Sequence, residues 1–176
     1  SSSGALGAPG KPAVITAVEW RDDSLEIIDQ TALPGELRLL HLRTVAEVVA
    51  AIRRLAVRGA PALGVCAAFA MVLAIDECPS ATPAEARLRL ASAARQVGEA
   101  RPTAVNLSWA ANRVAAIAAA GDRLQEIRRL ALGEAERIRD ADRASCRAIG
   151  AAARVELAGS SRVMTYCNAG RLASVG

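Results

Sequence analysis

Aromatic side chains are scarce in this chain of 176 residues, which has only four of them: Trp20, Phe69, Trp109 and Tyr166. Alanine, in contrast, occupies 41 positions, and 52% of the residues are apolar. This composition excludes disorder of the whole chain and favours closely packed helices over a β-sandwich. The length suits one medium-sized domain and is short for two complete ones.

Histidine and paired cysteines are also scarce. The chain has one histidine, His41, and four cysteines without CxxC spacing: Cys66, Cys78, Cys146 and Cys167. A zinc site, a disulfide framework and a Ser-His-Asp triad are therefore not expected, and the cysteine usage indicates a reducing cytoplasm. We expect a structural role for His41 on a strand and a core position for Cys66.

The positive charge comes almost entirely from arginine, because Lys11 is the only lysine. The arginines alternate with acids at helical spacing, and the net charge is only +4. No basic run carries interleaved aromatics and no apolar stretch reaches 18 residues, so we expect neither nucleic-acid binding nor a membrane span. Residues 1–13 are predicted to form a flexible tail rather than a signal peptide.

The pattern of apolar residues predicts a small sheet followed by helices. Three short apolar runs within residues 14–42, separated by turns at Asp22-Asp23 and Pro34-Gly35, predict an antiparallel meander. Helical periodicity then predicts helices over residues 44–58, 61–75, 82–98, 105–119 and 121–157. The apolar run Arg162–Tyr166 predicts a buried strand.

Local signals support two of these helices and place another at the centre. Thr44 with Glu47 and Thr82 with Glu85 are predicted capping boxes, and Val45, Val48, Val49, Ile52, Leu55 and Ala56 form one apolar face of the first helix. The helix that begins near Pro61 is apolar nearly all round, which predicts a buried central helix.

The predicted fold is therefore α+β. A meander-plus-helices domain spans residues 14–160, and a second domain begins with the strand in 161–176. A buried strand needs neighbours on both sides, so we expect 162–176 to be ordered only where further strands complete a sheet.

Three loops carry candidate functional residues. Arg58-Gly59-Ala60-Pro61 is either an anion cradle at a helix N-terminus or a glycine cap followed by a proline helix start. Arg101-Pro102-Thr103, with Asn106 in the next helical turn, either projects Arg101 into a site while Thr103 caps the helix, or is an ordinary capped helix start with a surface arginine. Cys167, directly after the predicted strand, either faces a ligand or is a small core residue.

Six segments occur in order from about residue 14 to the end of the sequence: Val18-Glu19-Trp20, Asp29-Gln30, Leu33-Pro34, Val57–Gly64, Arg101–Leu107 and Cys167-Asn168-Ala169-Gly170. Taken together, they resemble the methylthioribose-1-phosphate isomerase family, which belongs to a superfamily with subunits of translation initiation factor 2B and ribose-1,5-bisphosphate isomerase.

The resemblance implies an N-terminal domain of a small antiparallel sheet with helices, followed by a Rossmann-like domain that begins near residue 161. It implies an aldose–ketose isomerase of methionine salvage that acts on methylthioribose 1-phosphate, without metal or cofactor, as a cytoplasmic homodimer. Substrate phosphate contacts fall on Arg58, Gly59, Ala60 and Arg101, and Cys167 becomes the catalytic-site cysteine.

Two departures and two alternatives accompany this resemblance. Tyr166 stands where the family usually has histidine, and Ala151–Arg154 replaces a glycine-rich turn.

A related pentose-phosphate isomerase, such as one for ribose 1,5-bisphosphate, is one alternative function, and a non-catalytic regulatory subunit of the initiation-factor type is the other. The family's proton-donating aspartate would lie after Gly176, so we expect the chain alone to be inactive.

Overall fold

The computed structural model describes residues 16–176. The predicted tail, residues 1–13, and the predicted start of the first strand at Val14 lie outside this range. The described part contains a three-stranded antiparallel sheet and five helices, which confirms the predicted α+β class. Among the described residues, no helix is both long enough and apolar enough to span a membrane.

The sheet is the predicted meander. β1 (Val18–Arg21), β2 (Ser24–Ile28) and β3 (Leu39–Leu42) pair in the order β1-β2-β3, with Trp20 opposite Leu25. Asp22 and Asp23 both adopt positive φ, 50° and 52°, as the tight turn of a two-residue hairpin requires. One face of this sheet packs against the helices. There Trp20 stacks on the helical residue Phe69, with ring centroids 5.2 Å apart.

The helices follow the predicted order. They are α1 (Val45–Arg53), α2 (Ala60–Asp76), α3 (Pro83–Gly98), α4 (Val105–Ala118) and α5 (Leu124–Glu156). Both predicted capping boxes are present, since Thr44 and Thr82 each exchange hydrogen bonds with the glutamate three residues later. These bonds satisfy backbone N–H groups that the first helical turn leaves free.

α2 is the centre of the fold, as predicted. Every residue from Ala62 to Ile75 is buried, and the helix packs against α1, α3, α4, α5, β1 and β2. Because its surface is apolar on all sides, burial of the whole helix is the arrangement that removes most apolar area from water. The many alanines of α2 and α4 let these two helices approach closely.

α5 is amphipathic and much longer than its partners. Its 33 residues include five buried ones, the last of which is Ile138. The half after Ile138 has no fully buried residue and contacts the rest of the fold through polar groups, since Arg139 and Arg143 pair with Glu19 of β1.

Two predictions about apolar residues are wrong. Leu55 does not belong to the apolar face of α1, because the helix ends at Arg53 and Leu55 turns into a left-handed conformation with φ 63° and 41% exposure. Residues 162–166 form no strand and are exposed. No other strand of the described residues lies beside them, so their backbone groups have no ladder to join.

Two leucines on α3 give a matched test of this packing. Leu90 is 1% exposed and Leu88 is 72% exposed. Leu90→Ala should lower the free energy of unfolding by about 2–5 kcal/mol, because it leaves a cavity in the core. Leu88→Ala should change it by less than about 0.5 kcal/mol. Urea unfolding followed by circular dichroism measures both, and equal effects would contradict this helix orientation.

Candidate active site

The N-terminus of α2 is shaped by a glycine that no other residue can replace. Gly59 has φ 99°, and a Cβ built on it would lie 2.3 Å from the Cα of Ala173. Both the backbone conformation and the close approach therefore require glycine. Arg58 precedes this glycine and is exposed at the same end of the helix.

The C-terminal segment, residues 167–176, lies against this helix end. The N–H of Ala62 donates to the carbonyl of Ala173 at 3.1 Å. Further along, the N–H of Val175 donates to Asp142 at 2.8 Å, and the carbonyl of Val175 accepts from Arg143 at 3.2 Å. These bonds attach the C-terminal segment to α2 and α5, although the residues before it, 162–166, form no strand.

The start of α4 is attached to the same place. The side-chain amide of Asn106 donates to the carbonyl of Ala60 at 3.0 Å, which joins the first turns of α4 and α2. The predicted cap by Thr103 is wrong, because Ala104 occupies the N-cap position and no side chain caps this helix. Instead the N–H of Ala104 donates to the carbonyl of Arg101 in a tight turn.

These three segments enclose one cleft of about 640 Å³. All five predicted site residues line it, together with hydrophobic and polar neighbours: Arg58, Gly59, Ala60, Arg101 and Cys167, with Leu55, Pro61, Leu63, Thr103, Ala104 and Asn168. The structure therefore brings the candidate residues together from positions more than 100 residues apart, and their roles stay predictions.

The cleft is positively charged. Eight arginines of the described chain lie within 4.0 Å of a carboxylate: Arg38, Arg54, Arg113, Arg128, Arg129, Arg137, Arg139 and Arg143. Within residues 16–176, Arg58 and Arg101 have no such partner and donate no hydrogen bond to a protein atom. Two unpaired guanidinium groups in one cleft suit an anion such as phosphate.

Backbone donors are also available at this end of α2. Within the described range, no protein acceptor takes the N–H of Gly59 or Ala60, the residues that open α2. The free N–H groups and the positive end of the helix dipole favour an anion at this point. The cleft thus offers both kinds of phosphate donor.

Cys167 is the cysteine that borders the cleft. All four cysteines are free thiols, and Cys167 is exposed. Its φ of 70° lies in the left-handed region, a strained conformation that is common at functional sites. Cys66, in contrast, is fully buried as predicted, and burial raises the pKa of its thiol far above the ordinary value.

An ion pair between a buried carboxylate and a half-exposed arginine holds the loop before Arg58. Asp29, at the end of β2, is 1% exposed and accepts hydrogen bonds from Thr31 and from both terminal nitrogens of Arg54 at 3.1–3.2 Å. The bonds from Thr31, together with those from Arg54, lower the pKa of the Asp29 carboxyl. Arg54 begins the loop that leads to Gly59, so this pair links the sheet to the cleft wall.

The sequence analysis named the principal cleft residues but not the neighbouring residues that line the cleft or hold its segments in place. Asn168 lines the cleft, and Gln30 bonds the C-terminal segment; both belong to motifs that carry the family resemblance, which is the signal that marks them. His41 lies away from the cleft on β3, half exposed, with Nδ1 3.7 Å from Glu26. No group of three or more potential metal ligands occurs among the residues that the structure describes.

Comparison with known proteins identifies the relatives of this chain. Residues 56–175 match the Initiation factor 2 subunit family. The chain is 47% identical over 162 residues to the 5-deoxyribose 1-phosphate isomerase of Moorella thermoacetica, covering 91% of this chain and 46% of that protein. It is 43% identical over 157 residues to the methylthioribose-1-phosphate isomerase of Herpetosiphon aurantiacus, covering 88% and 44%.

Solved structures give the same result. Translation initiation factor eIF-2B, subunit delta, from A. fulgidus superimposes with a TM-score of 0.84 at 40% identity, over 92% of this chain and 47% of that one. The 5-methylthioribose 1-phosphate isomerase from Pyrococcus horikoshii gives 0.76 at 34% identity, over 93% and 46%. The predicted family resemblance is confirmed, and the chain spans about half the length of the curated relatives it matches.

Two neighbouring arginines test the ion pair of Asp29. Arg54→Gln should lower the free energy of unfolding at pH 7 by about 2 kcal/mol, because it removes charged donors from a buried carboxylate. Arg53→Gln is the matched control, since Arg53 is exposed and ends α1.

The difference between the two variants should depend on pH. The pKa of Asp29 is lower in the folded than in the unfolded chain, so its ionised form stabilises the fold above the unfolded value of about 3.9. This contribution disappears as the pH falls through the folded pKa. Urea unfolding between pH 7 and pH 3 measures the effect, and a difference that grows on acidification would contradict it.

Proposed function

The chain belongs to the initiation factor 2 subunit family, and we propose that it is the N-terminal part of a sugar-phosphate isomerase. The observation that carries this proposal is the cleft in which unpaired Arg58 and Arg101 meet the free N–H groups of Gly59 and Ala60 beside Cys167. The names of the isomerases among its relatives support the same class of reaction.

The proposed reaction converts an aldose 1-phosphate into a ketose 1-phosphate. The phosphate on the anomeric oxygen prevents the ring from opening as a free sugar does, so an acid must protonate the ring oxygen. One hydrogen then moves from C2 to C1, by way of an enediolate or as a hydride. C2 is oxidised to a carbonyl while C1 is reduced, and the proton of the C2 hydroxyl is released, so the redox change is internal to the sugar.

Each part of the cleft has a proposed task in this reaction. Arg58 and Arg101 bind the phosphate oxygens, and the N–H groups of Gly59 and Ala60 complete the anion site. C1 and C2 lie next to this phosphate in the substrate, so they enter the space that Cys167 borders. Cationic groups and N–H donors that hold the phosphate also stabilise negative charge that develops beside it, which favours hydrogen transfer between C2 and C1.

The composition of the cleft supports an uncharged substituent on C5. Leu55 and Leu63 line it, and Arg58 and Arg101 are its two cationic side chains. Both arginines serve the 1-phosphate in this proposal, which disfavours ribose 1,5-bisphosphate with its second phosphate. Methylthioribose 1-phosphate is the proposed substrate, and 5-deoxyribose 1-phosphate is the second candidate because a relative at 47% identity is named for it.

A non-catalytic role is the competing function. The structural relative from A. fulgidus is described as an initiation factor subunit, which favours this alternative. The unpaired arginines and the exposed thiol favour the enzyme, because a scaffold needs neither. Assembly as a homodimer and a location in the cytoplasm stay predictions from the resemblance.

The activity is tested in a chimera in which this chain replaces the matching part of the Moorella thermoacetica protein. The chimera should form ketose 1-phosphate from methylthioribose 1-phosphate, and more slowly from 5-deoxyribose 1-phosphate, whereas the isolated chain should form none. Product is followed by nuclear magnetic resonance. A folded chimera that turns over neither sugar would support the non-catalytic alternative, and turnover by the isolated chain would require a proton donor within it.

Variants of the cleft test the proposed roles. Arg58→Ala and Arg101→Ala should each raise KM and cost on the order of 2–4 kcal/mol in kcat/KM, because each removes a charge-assisted phosphate contact. Arg95→Ala, at an exposed position on α3 outside the cleft, is the control. Unchanged kinetics in both arginine variants would refute the phosphate site.

Cys167 is tested separately. Cys167→Ser should fold normally and lose most turnover, and substrate should slow alkylation of the Cys167 thiol.

A further inference from the structure

Two consecutive polar residues are buried where β2 ends. Asp29 is 1% exposed and Gln30 is 5% exposed, and they are two of only four buried polar residues in the described part of the chain. Asp29 is bound by Thr31 and Arg54, as described above. Gln30 has no charged partner, so its burial needs a separate explanation.

Gln30 bonds to two chain segments that lead into the cleft. Its backbone N–H donates to the carbonyl of Ala56 at 2.9 Å, in the loop that leads to Gly59. Its side-chain amide donates to the carbonyl of Leu172 at 2.7 Å, in the C-terminal segment. One residue in the turn after β2 therefore connects the arginine-bearing loop before α2 to the segment that carries Cys167.

The burial of this side chain costs free energy. Among residues 16–176, the carbonyl oxygen of the Gln30 side chain is buried without a hydrogen-bond partner, and such an orphaned group is unfavourable. An apolar side chain of the same size would avoid this cost. Unlike an apolar side chain, the Gln30 amide donates a short hydrogen bond to the carbonyl of Leu172.

The bond to Leu172 acts at the point where the C-terminal segment meets α2. The next residue, Ala173, accepts from the N–H of Ala62 and lies so close to Gly59 that no Cβ fits between them. A second bond, from the N–H of Ala173 to the carbonyl of Gly170, continues the ordered backbone towards Cys167. Fixing Leu172 therefore fixes the register in which the segment crosses the helix end.

We propose that Gln30 is a positioning residue: its side-chain amide holds Leu172 so that Cys167 faces the cleft of Arg58 and Arg101. The geometric part of this proposal concerns the folded chain alone. Its consequence for turnover rests on the proposed isomerase function. Gln30 itself does not line the cleft, so it acts through the C-terminal segment and not on a substrate.

Amide hydrogen exchange of the 176-residue chain tests the geometric part. Gln30→Leu removes the donor and the orphaned oxygen while keeping the side-chain size. It should speed exchange of the Ala62 and Ala173 amides several-fold, up to about tenfold, because the net contribution of one hydrogen bond corresponds to this range. Amides in the middle of α3, far from the segment, should keep their exchange rates.

A matched glutamine provides the control. Gln96 on α3 is exposed and donates one hydrogen bond to Ser92 at 3.3 Å, so Gln96→Leu also removes an amide donor but leaves the segment untouched. It should leave the Ala62 and Ala173 amides unchanged. Gln30→Met is the second variant if Gln30→Leu does not fold. Unchanged exchange at Ala62 and Ala173 in a folded Gln30 variant would overturn the proposal.

Kinetics of the chimera test the consequence for turnover. In Gln30→Leu the phosphate-binding arginines are intact while Cys167 is less well placed. With methylthioribose 1-phosphate, kcat should therefore fall at least about tenfold while KM changes less than about twofold. A parallel rise of KM, or unchanged kcat, would overturn the positioning role. If the unaltered chimera is inactive, the proposed function fails while the exchange experiment still decides the geometric part.

Discussion

The complete burial of α2 is the constraint on which the rest of this structure depends. A helix that is apolar on all sides must be covered on all sides, and α1, α3, α4, α5 and the sheet provide that cover. At the first turn of α2, the loop before Gly59, the start of α4 and the C-terminal segment meet. The free N–H groups of this turn cannot be satisfied within the helix, so the same burial that stabilises the core leaves an anion-attracting point at one end.

The elements that the sequence predicted well are those with local causes. The capping boxes at Thr44 and Thr82 and the apolar surface of α2 depend on residues three or four positions apart, which a sequence displays directly. The failures have non-local causes. The run 162–166 has strand composition but no neighbouring strand, and Leu55 continues the helical period of α1 after the backbone has already left the helix.

The candidate site shows the same limit. No local pattern brings Arg58, Arg101 and Cys167 together, and their grouping was expected only because their motifs resemble one family. The hydrogen bonds that hold these residues in place were even less accessible to prediction from the sequence. Asn106 carries no signal that its amide reaches Ala60, and Gln30 carries none that it reaches Leu172, 142 positions later in the chain. Such contacts depend on the tertiary arrangement, which propensity and periodicity do not encode.

The unequal lengths of the helices have a mechanical consequence. α5 is held by the bonds of Asp142 and Arg143 to Val175, and the 13 residues that follow Arg143 add about 20 Å of helix. In this part Ile149 borders a cavity together with Asn168, the residue next to Cys167. Ile149 lies about 9 Å along the helix from Arg143, so a tilt of about 10° at that point displaces it by roughly 1.5 Å. Motion of α5 therefore moves one wall of the cavity beside Cys167, and the long helix is mechanically coupled to the geometry around this thiol.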